Sequence, residues 1–259
     1  MRLTKLRLLT LIVLGALTCL PGQSLAVGLE AAVGGWYEHP SGQLSYEGST
    51  IDDVLDLNDD LNYDDTAGLF GRLKIDMPIF VPNIYLYATQ MSFDGTGIKD
   101  VDFDFGDVNI QPNEPFESEL KLNNFDVALY YPIPLLKTAT LNKFNIDIGV
   151  NLRIYDVQAR IEQETFGVSE SVSELVPIPM LYLAAQLHPI DWLHLEGEGR
   201  GILFSDNEVY SLIGRLRFDI YGPLFAAGGY RFDKIKIDEQ DVLVDTDFSG
   251  PFLELGLSF

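Results

Sequence analysis

The last nine residues, Pro251-Phe252-Leu253-Glu254-Leu255-Gly256-Leu257-Ser258-Phe259, alternate between apolar and other side chains. This period of two predicts a β-strand, because successive side chains of a strand point to opposite faces. One face of the predicted strand carries the apolar residues Leu253, Leu255, Leu257 and Phe259. We expect either earlier strands or lipid to cover that face.

This ending resembles the carboxy-terminal strand of Gram-negative outer-membrane β-barrels, which close on Phe after hydrophobic residues at every second position. The resemblance implies an antiparallel up-and-down barrel in the bacterial outer membrane. It also implies that Leu253, Leu255, Leu257 and Phe259 form the signal that the barrel assembly machinery binds.

The amino terminus, residues 1–26, has the features of a signal peptide. Basic residues open it, an apolar run covers 8–17, and Ser24-Leu25-Ala26 offers a small-x-small cleavage site. The apolar run is too short to serve as a retained anchor helix, which needs about 20 residues. The chain's single cysteine, Cys19, falls in this segment, so the predicted mature domain at 27–259 has no disulfide.

The composition excludes several classes of protein. The chain has 17 Lys+Arg against 39 Asp+Glu, a net charge of −22, and loss of Arg2, Lys5 and Arg7 lowers it to −25. Nucleic acid is therefore excluded as a partner, since phosphate binding needs a basic surface. No apolar run after residue 26 is long enough for a membrane-spanning helix, which leaves a closed barrel or a soluble β-sandwich.

About ten segments have the alternation of strands, and counts of 8 or 12 remain open. In the clearest, 144–154, six apolar residues alternate with polar residues or glycine. Globular strands have about five or six residues, whereas a strand that crosses a bilayer needs about 9–11. The predicted lengths favour a membrane. The segments are roughly 27–37, 66–77, 83–94, 119–131, 143–157, 176–188, 192–204, 208–221, 224–237 and 245–259.

The connections between predicted strands alternate between short and long. The short ones are 78–82, 132–142, 188–191 and 222–223, and the long ones are 38–65, 95–118, 158–175 and 238–244, with only 205–207 breaking the pattern. Most acidic residues fall in the long group. Outer-membrane barrels have short periplasmic turns and longer external loops. We therefore expect both termini in the periplasm and an acidic mouth outside.

Charged residues alternate with the apolar face inside these strands. The predicted lumen charge network is Arg72, Asp76, Asp126, Asp147, Arg153, Glu196, Glu198, Arg200, Arg215, Arg217, Asp219 and Arg231, and Asp233 falls on the same face. Arginine pairs with carboxylates through two parallel hydrogen bonds and stays charged when buried. The pattern predicts Arg–carboxylate ladders across a narrow lumen. In a soluble sandwich the same residues would form a solvated face.

Aromatic residues gather towards the ends of the predicted strands. Trp36, Tyr37, Phe80, Tyr85, Tyr130, Tyr131, Trp192, Tyr221 and Phe225 are the main examples. Such rings form girdles at the two membrane interfaces of known barrels. Ordinary packing of aromatic residues on strands is the alternative interpretation.

Catalysis has little support in the sequence. His39 with Asp52 or Asp53 has the residue types of omptin-type outer-membrane proteases, but no matching motif is present, and no GxSxG occurs. The acidic runs at 51–60 and 100–107 do not fit an EF-hand. We expect no enzyme, no cofactor and no dedicated metal site. We expect only weak association of divalent cations, which also bridge lipopolysaccharide, with the acidic rim.

The acidic run at 51–61 and the turn Pro78-Ile79-Phe80-Val81-Pro82 together resemble a family of bacterial outer-membrane barrels without assigned function. The resemblance implies fold and location, and no functional residues follow from it. The function predicted from the sequence is a narrow, cation-tolerant channel for small solutes or a structural, surface-binding barrel. An omptin-like rim hydrolase and a soluble periplasmic binding protein are the alternatives.

Overall fold

The computed structural model describes residues 28–48, 50–78, 80–205, 207–239 and 242–259, so the predicted signal peptide lies outside it. It contains fourteen strands, one 3-10 turn at Ile51–Asp53 and one short helix, α1 (Leu136–Ala139). The strands are β1 (Gly28–Tyr46), β2 (Leu55–Asp56), β3 (Thr66–Asp76), β4 (Asn83–Thr89), β5 (Ser92–Gly97), β6 (Phe103–Phe105), β7 (Val108–Ile110), β8 (Phe116–Pro132), β9 (Phe144–Gln163), β10 (Val168–Ile190), β11 (Leu193–Phe204), β12 (Asn207–Tyr221), β13 (Leu224–Glu239) and β14 (Val242–Ser258).

The long strands form one closed antiparallel barrel of ten strands. Each strand pairs with its neighbours along the chain, β4 and β5 pair in turn with β8, and β14 returns to pair with β1 from Glu30↔Ser258 to Tyr46↔Val242. Two stacked sheets are absent from this ring, so the sandwich alternative is wrong. The described residues include no helix that is both long and apolar enough to cross a membrane.

A band of apolar side chains surrounds the outside of the barrel. Val33 on β1, Leu181 on β10 and Leu253 on β14 are all 70–74% exposed, with further Leu, Ile and Val residues between them. An apolar surface of this extent does not occur on soluble monomers, and it matches the lipid-facing band of membrane barrels. The alternation seen in the terminal strand thus places its apolar face outward.

The two ends of the barrel differ in their connections. We call the end that holds Gly28 and Phe259 the terminal end, and the other the loop end. The terminal-end connections 77–82, 133–143, 191–192 and 222–223 are short or carry only α1. At the loop end, only 47–65 and 98–115 are long.

The prediction of a long loop at 158–175 is wrong, because β9 and β10 continue as a paired ribbon as far as Gln163↔Val168. Their outward residues are polar there, including Gln158, Arg160 and Ser171. Without an apolar face the sequence offers little strand signal beyond the membrane band. The predicted loop at 38–65 is shortened in the same way, since β1 extends to Tyr46.

The two long loops fold into the mouth of the barrel. Leu57, Leu61 and Phe103 are buried there, and Phe103 packs edge-on against Phe116 of β8 at 5.2 Å between ring centroids. The aspartates of the first loop stabilise its turns, since the Asp56 carboxylate accepts the backbone N–H groups of Asn58 and Asp59 at 2.9 Å. The interior is therefore apolar at the loop end.

The prediction of two aromatic girdles holds for only some of the residues. Tyr37, Phe80, Tyr131, Trp192 and Tyr221 are exposed on the outside or at a turn. Trp36, Tyr85, Tyr130 and Phe225 instead point into the barrel and are buried. Position near a strand end does not determine the face, which depends on the parity of the residue along the strand.

Candidate functional site

The middle of the barrel interior holds a chain of buried ion pairs. Its members come from β1, β3, β8, β9, β11, β12, β13 and β14, at inward positions of strands whose neighbouring residues face outward. The strand period of two therefore places all of these charges inside while the apolar residues face away from them.

One half of the chain of ion pairs lies towards the terminal end. Arg217 binds Glu30 and also donates to Asp219 at 3.0 Å. Arg72 binds the other oxygen of Glu30 and donates to Glu254 at 2.8 Å from Nη2. Glu30 of the first strand and Glu254 of the last strand thus connect across the closing seam of the barrel.

The central part of the chain is built around Arg215. Its Nη1 lies 2.8 Å from both Glu196 Oε2 and Glu198 Oε1, and its Nε lies 3.1 Å from Glu254 Oε1. Lys74 reaches Glu198 at 3.4 Å. Three carboxylates therefore surround one guanidinium, whose hydrogen bonds all come from Nη1, while Nε and Nη2 are buried without a hydrogen-bond partner.

The last part of the chain of ion pairs leads towards the loop end. Arg200 joins Glu198 at 3.1 Å to Asp126 at 3.5 Å. Arg153 forms a bidentate pair with Asp126, at 2.9 Å from Nε and 3.0 Å from Nη2. Arg231 forms the equivalent pair with Asp233, at 3.0 and 2.6 Å.

The chain of ion pairs is balanced in charge. It contains seven cations, Arg72, Lys74, Arg153, Arg200, Arg215, Arg217 and Arg231, and seven carboxylates, Glu30, Asp126, Glu196, Glu198, Asp219, Asp233 and Glu254. The side chains of Arg72, Arg153 and Arg215 are 0% exposed. Burying an unpaired charge costs several kcal/mol, so a balanced network is what such burial requires.

Aromatic rings fill the space beside the guanidinium groups. Arg200 lies 4.8 Å from the Tyr85 ring centroid and 4.9 Å from that of Tyr87, and Arg231 lies 4.2 Å from the Trp36 ring. Planar guanidinium groups interact favourably with ring faces. The rings and ion pairs together leave the middle of the lumen packed with side chains.

Solved structures match the chain in shape, whereas no protein-family model and no curated protein matches it. The outer membrane protease OmpT from Escherichia coli aligns with 92% of this chain and 99% of its own, with a TM-score of 0.51 and 10% identity. The translocator domain of autotransporter NalP from Neisseria meningitidis aligns with a TM-score of 0.46 and 9% identity, over 99% of this chain and 96% of its own. Ail of Yersinia pestis aligns with a TM-score of 0.34 and 12% identity, over 89% and 99%.

The fold is that of an outer-membrane β-barrel. The OmpT alignment and the apolar outer band both support this conclusion. At this low identity the similarity shows architecture alone, and proteolysis remains a property of OmpT.

Most, but not all, of the twelve residues predicted for the lumen charge network belong to the chain of ion pairs. Nine of the twelve lie in the buried part of the chain of ion pairs, or at its edge in the case of Arg217. Asp219 joins at the terminal end, where it also contacts His194 Nε2 at 2.9 Å. Asp147 is bonded to Asn145 and Gln186, and Asp76 is exposed beside Gly28. These last two residues line a polar cavity of about 230 Å³ at the terminal end.

The sequence prediction placed Asp233 on the inward face but omitted three members of the chain of ion pairs: Glu30, Lys74 and Glu254. Each has the same parity as an inward neighbour, such as Ala32 for Glu30 and Arg72 for Lys74, so extending the alternation along the strand would have included it. Arg160, by contrast, lies on β9 but faces outward and is exposed.

The residues predicted for a rim hydrolase do not come together. His39 points outward and contacts Asp65 at 2.5 Å. Asp53 is buried within the first long loop, where its carboxylate accepts the backbone N–H of Thr50 at 2.6 Å and of Asp104 at 2.8 Å. Among the described residues no group of three or more His, Cys, Asp or Glu is arranged to hold a metal ion.

The predicted assembly signal lies along the closing seam. Leu253, Leu255, Leu257 and Phe259 face outward, and Phe259 is 71% exposed. The backbone of Phe259 exchanges hydrogen bonds with Leu29, at 2.8 and 3.1 Å. The opposite face of this strand carries Glu254, so the terminal strand presents apolar side chains outward and one carboxylate to the buried chain of ion pairs.

Proposed function

We propose that the protein is an integral outer-membrane barrel whose charged interior is a structural plug, so that it acts as a structural, surface-binding barrel rather than as a channel. The single observation that carries this proposal is the burial of Arg72, Arg153 and Arg215 at 0% exposure inside one connected chain of ion pairs. Barrels of about eight strands are filled by side chains, whereas porins of 16–18 strands enclose an aqueous channel. With ten strands, this barrel is nearer in size to the filled class.

An ion moving along the axis would have to separate these pairs. The removal of one partner from a buried ion pair typically costs about 3–5 kcal/mol, because the other charge is left without compensation. Opening a path past Arg215 would disturb three carboxylates at once. A narrow conduit is therefore the less favoured of the two functions predicted from the sequence.

The surface above the apolar band supports a binding role at the loop end. Outward carboxylates of Glu119, Asp156, Asp245 and Asp247 lie on the strand extensions, mixed with Lys121 and Lys234. We propose that this surface associates weakly with divalent cations and, through them, with lipopolysaccharide. This proposal places the loop end outside the cell and the termini in the periplasm.

Planar-bilayer recordings test the plug. We expect refolded, heat-modifiable protein to show no resolvable current steps at neutral pH. The double variant Arg153→Ala/Asp126→Ala serves as the comparison. It removes both partners of an ion pair and so leaves less uncompensated charge than either single substitution. We expect this variant to conduct ions. A steady current through the unmodified protein, selective for cations as acidic loops would make it, would contradict the proposal.

A rim hydrolase is the competing class. The outward orientation of His39 and its pairing with Asp65 do not assemble a nucleophile or a water-activating pair facing the mouth. We therefore propose that the protein is not an enzyme. Peptide and ester hydrolysis that disappears in the His39→Ala variant would refute this.

A further inference from the structure

A second cavity lies inside the loop end of the barrel, above the chain of ion pairs. It has a volume of about 230 Å³, and its walls come from β1, β6, β8, β9, β10, β13 and β14. Most of the lining is aliphatic, with Leu122, Val157, Val176, Ile178, Ile235 and Val244 as its main residues. Tyr155 belongs to the lining and accepts a hydrogen bond from Arg153 at 3.1 Å, so the charged layer lies next to the cavity.

The wall of the barrel is incomplete beside this cavity. Strand β10 pairs with β9 from Val168 to Leu187, but it pairs with β11 only from Leu181 onward. The hairpin of β11 and β12 turns back at the Phe204↔Asn207 pair, well below the top of β10. Within the described residues, β10 at 168–180 therefore has one free edge. We call this gap between β10 and β13 the notch.

Two prolines occupy the free edge of β10. Pro177 and Pro179 lack the N–H group that a further strand would need, which is why proline in sheets is confined to edges. They alternate with the inward residues Val176 and Ile178, which line the cavity. The sequence Val176-Pro177-Ile178-Pro179 thus builds an apolar cavity wall and prevents the barrel from closing beside it.

The notch is continuous with the lipid-facing surface. Leu175, Leu203 and Phe204 surround it and are 68–73% exposed. Below it, a groove on the outer apolar band is lined by residues that include Leu181 and Leu212, and it also contacts Pro179 and Ile202. An apolar molecule dissolved in the membrane could therefore reach the cavity without crossing the acidic loops.

The surface that the cavity offers to a ligand is apolar. Thr246 is among the lining residues, but its hydroxyl is buried away from the cavity and has no hydrogen-bond partner. A polar group of a ligand would lose its hydrogen bonds with water and find no partner in the cavity, which costs about 1–3 kcal/mol. Glu174, which is exposed and also lines the cavity, adds negative charge that disfavours anionic ligands.

We propose that this cavity binds a small, neutral, apolar organic molecule, which enters sideways through the notch. An apolar cavity of about 150 Å³ in another protein stays dry and binds benzene, so the larger volume here accommodates a six-membered ring with one substituent. The ligand stops above the charged layer, and the proposal is independent of whether the barrel conducts.

Cyclohexanol and cyclohexane form a matched pair of probes, since they differ by one hydroxyl. We expect cyclohexane to shift the methyl resonances of Val176, Ile178 and Ile235 saturably in protein reconstituted in lipid nanodiscs. The methyls of Leu253 and Leu255, on the outer band, report partitioning into lipid. Cyclohexanol should bind at least about fivefold more weakly than cyclohexane, because its hydroxyl finds no hydrogen-bond partner in the cavity.

Two variants test the site. Thr246→Val should leave the affinities for both probes unchanged, because the Thr246 hydroxyl does not face the cavity. Ala159→Phe places a ring in the cavity and should abolish saturable binding of both probes, whereas Gln158→Phe, on the outward face of the same strand, should not. Heat-modifiable migration shows whether each variant folds. Val176→Phe is a second variant that fills the cavity, to be used if Ala159→Phe does not fold.

The outcomes decide between binding and partitioning. Shifts that grow without saturation, or that are equal at Leu253 and Ile235, would show that the probes only dissolve in lipid and would overturn the proposal. The same follows if Ala159→Phe and Gln158→Phe bind cyclohexane equally well. Tighter binding of cyclohexanol than of cyclohexane would contradict the assignment of an apolar ligand.

Discussion

Arg215 shows at the scale of one residue why a buried charge in this barrel cannot be removed alone. Its guanidinium contacts Glu196, Glu198 and Glu254, and these carboxylates are themselves buried. Arg160 also has a carboxylate partner, Glu162, but it lies on the outer face with its side chain 54% exposed. Water replaces the partner of Arg160, whereas nothing replaces Arg215.

Arg215→Ala should therefore lower the free energy of unfolding by about 3–5 kcal/mol. Arg160→Ala and Lys234→Ala, which break only surface pairs, should each cost less than about 1 kcal/mol. Urea unfolding of the refolded barrel in detergent, followed by heat-modifiable migration, measures the difference. Adding Glu196→Gln to Arg215→Ala should recover part of the loss. Equal unfolding midpoints for the three single variants would contradict the prediction.

Tyr63 is a second case in which burial determines the chemistry of one side chain. It belongs to the first long loop, and its ring packs against Phe93 at 6.2 Å. Burial raises the pKa of the Tyr63 hydroxyl from 10.0 to about 12, a hydrogen bond with Ser118 acts in the opposite direction, and Asp94 and Glu119 raise it further. The neutral phenol is therefore the form that the folded loop favours.

The stabilisation from neutral Tyr63 is complete below pH 10 and is lost as the pH rises towards 12. Between pH 9 and pH 11 we expect the wild type to lose about 1 kcal/mol relative to Tyr63→Phe, which cannot ionise. Urea midpoints at the two pH values measure this change. Tyr221→Phe, at an exposed ring, is the control and should show no such difference. A constant gap between wild type and Tyr63→Phe would refute the prediction.

At the scale of strands, alternation predicted the elements within the membrane well and those beyond it poorly. In 144–154 the apolar residues face lipid and the polar residues face the interior, so the pattern is strong. Beyond the band the same strand presents Gln158 and Arg160 to water and Val157 and Ala159 to an apolar interior. Apolar residues thus face outward within the membrane band and inward beyond it. Because of this change, the sequence alone did not distinguish such a strand extension from a loop.

The terminal strand pairs with the first strand, and we propose that it also carries a targeting signal, which one substitution can separate from the pairing. The Phe259 side chain is exposed, while its backbone is bonded to Leu29. Phe259→Ala keeps the backbone bonds, so refolding and urea stability in detergent should stay within about 0.5 kcal/mol of wild type. Assembly in cells should nevertheless fall several-fold, because the proposed recognition residue is lost.

The control for this prediction is Phe80→Ala, which removes another exposed phenylalanine. It should leave the amount of heat-modifiable barrel in outer-membrane fractions unchanged. If Phe259→Ala assembles as well as Phe80→Ala, the terminal phenylalanine is not part of an assembly signal. If Phe259→Ala also loses stability after refolding in detergent, its role is structural instead.

At the scale of the whole molecule, the interior has three layers along the barrel axis. A polar cavity lies at the terminal end, the chain of ion pairs lies in the middle, and an apolar core with a side-opening cavity lies at the loop end. The sequence pattern showed that charged residues alternate with apolar residues along the strands, but it could not show the order of the three layers along the barrel axis. That order depends on strand register and on the two loops that fold inward.

The asymmetry of the two ends is the basis for the orientation that we propose in the membrane. The acidic strand extensions and the inward-folded loops form the bulky end, while the terminal end has short turns that can follow assembly from the periplasm. Cys19 is the single cysteine of the chain. A cysteine introduced after residue 26 can therefore be labelled selectively if the predicted signal peptide is removed. Ser171 on β10 and Thr138 in α1 are exposed positions at opposite ends.

A maleimide attached to a polymer too large for porins should modify Ser171→Cys in intact cells, because the loop end faces outward in the proposed topology. It should modify Thr138→Cys only after the outer membrane is permeabilised, since α1 lies between β8 and β9 at the terminal end. The two variants have the same chemistry and comparable exposure, so only topology separates them. Labelling of Thr138→Cys in intact cells, with Ser171→Cys protected, would mean that the barrel is inserted with its loops in the periplasm. The acidic surface would then face away from lipopolysaccharide, and the proposed binding role would fail with it.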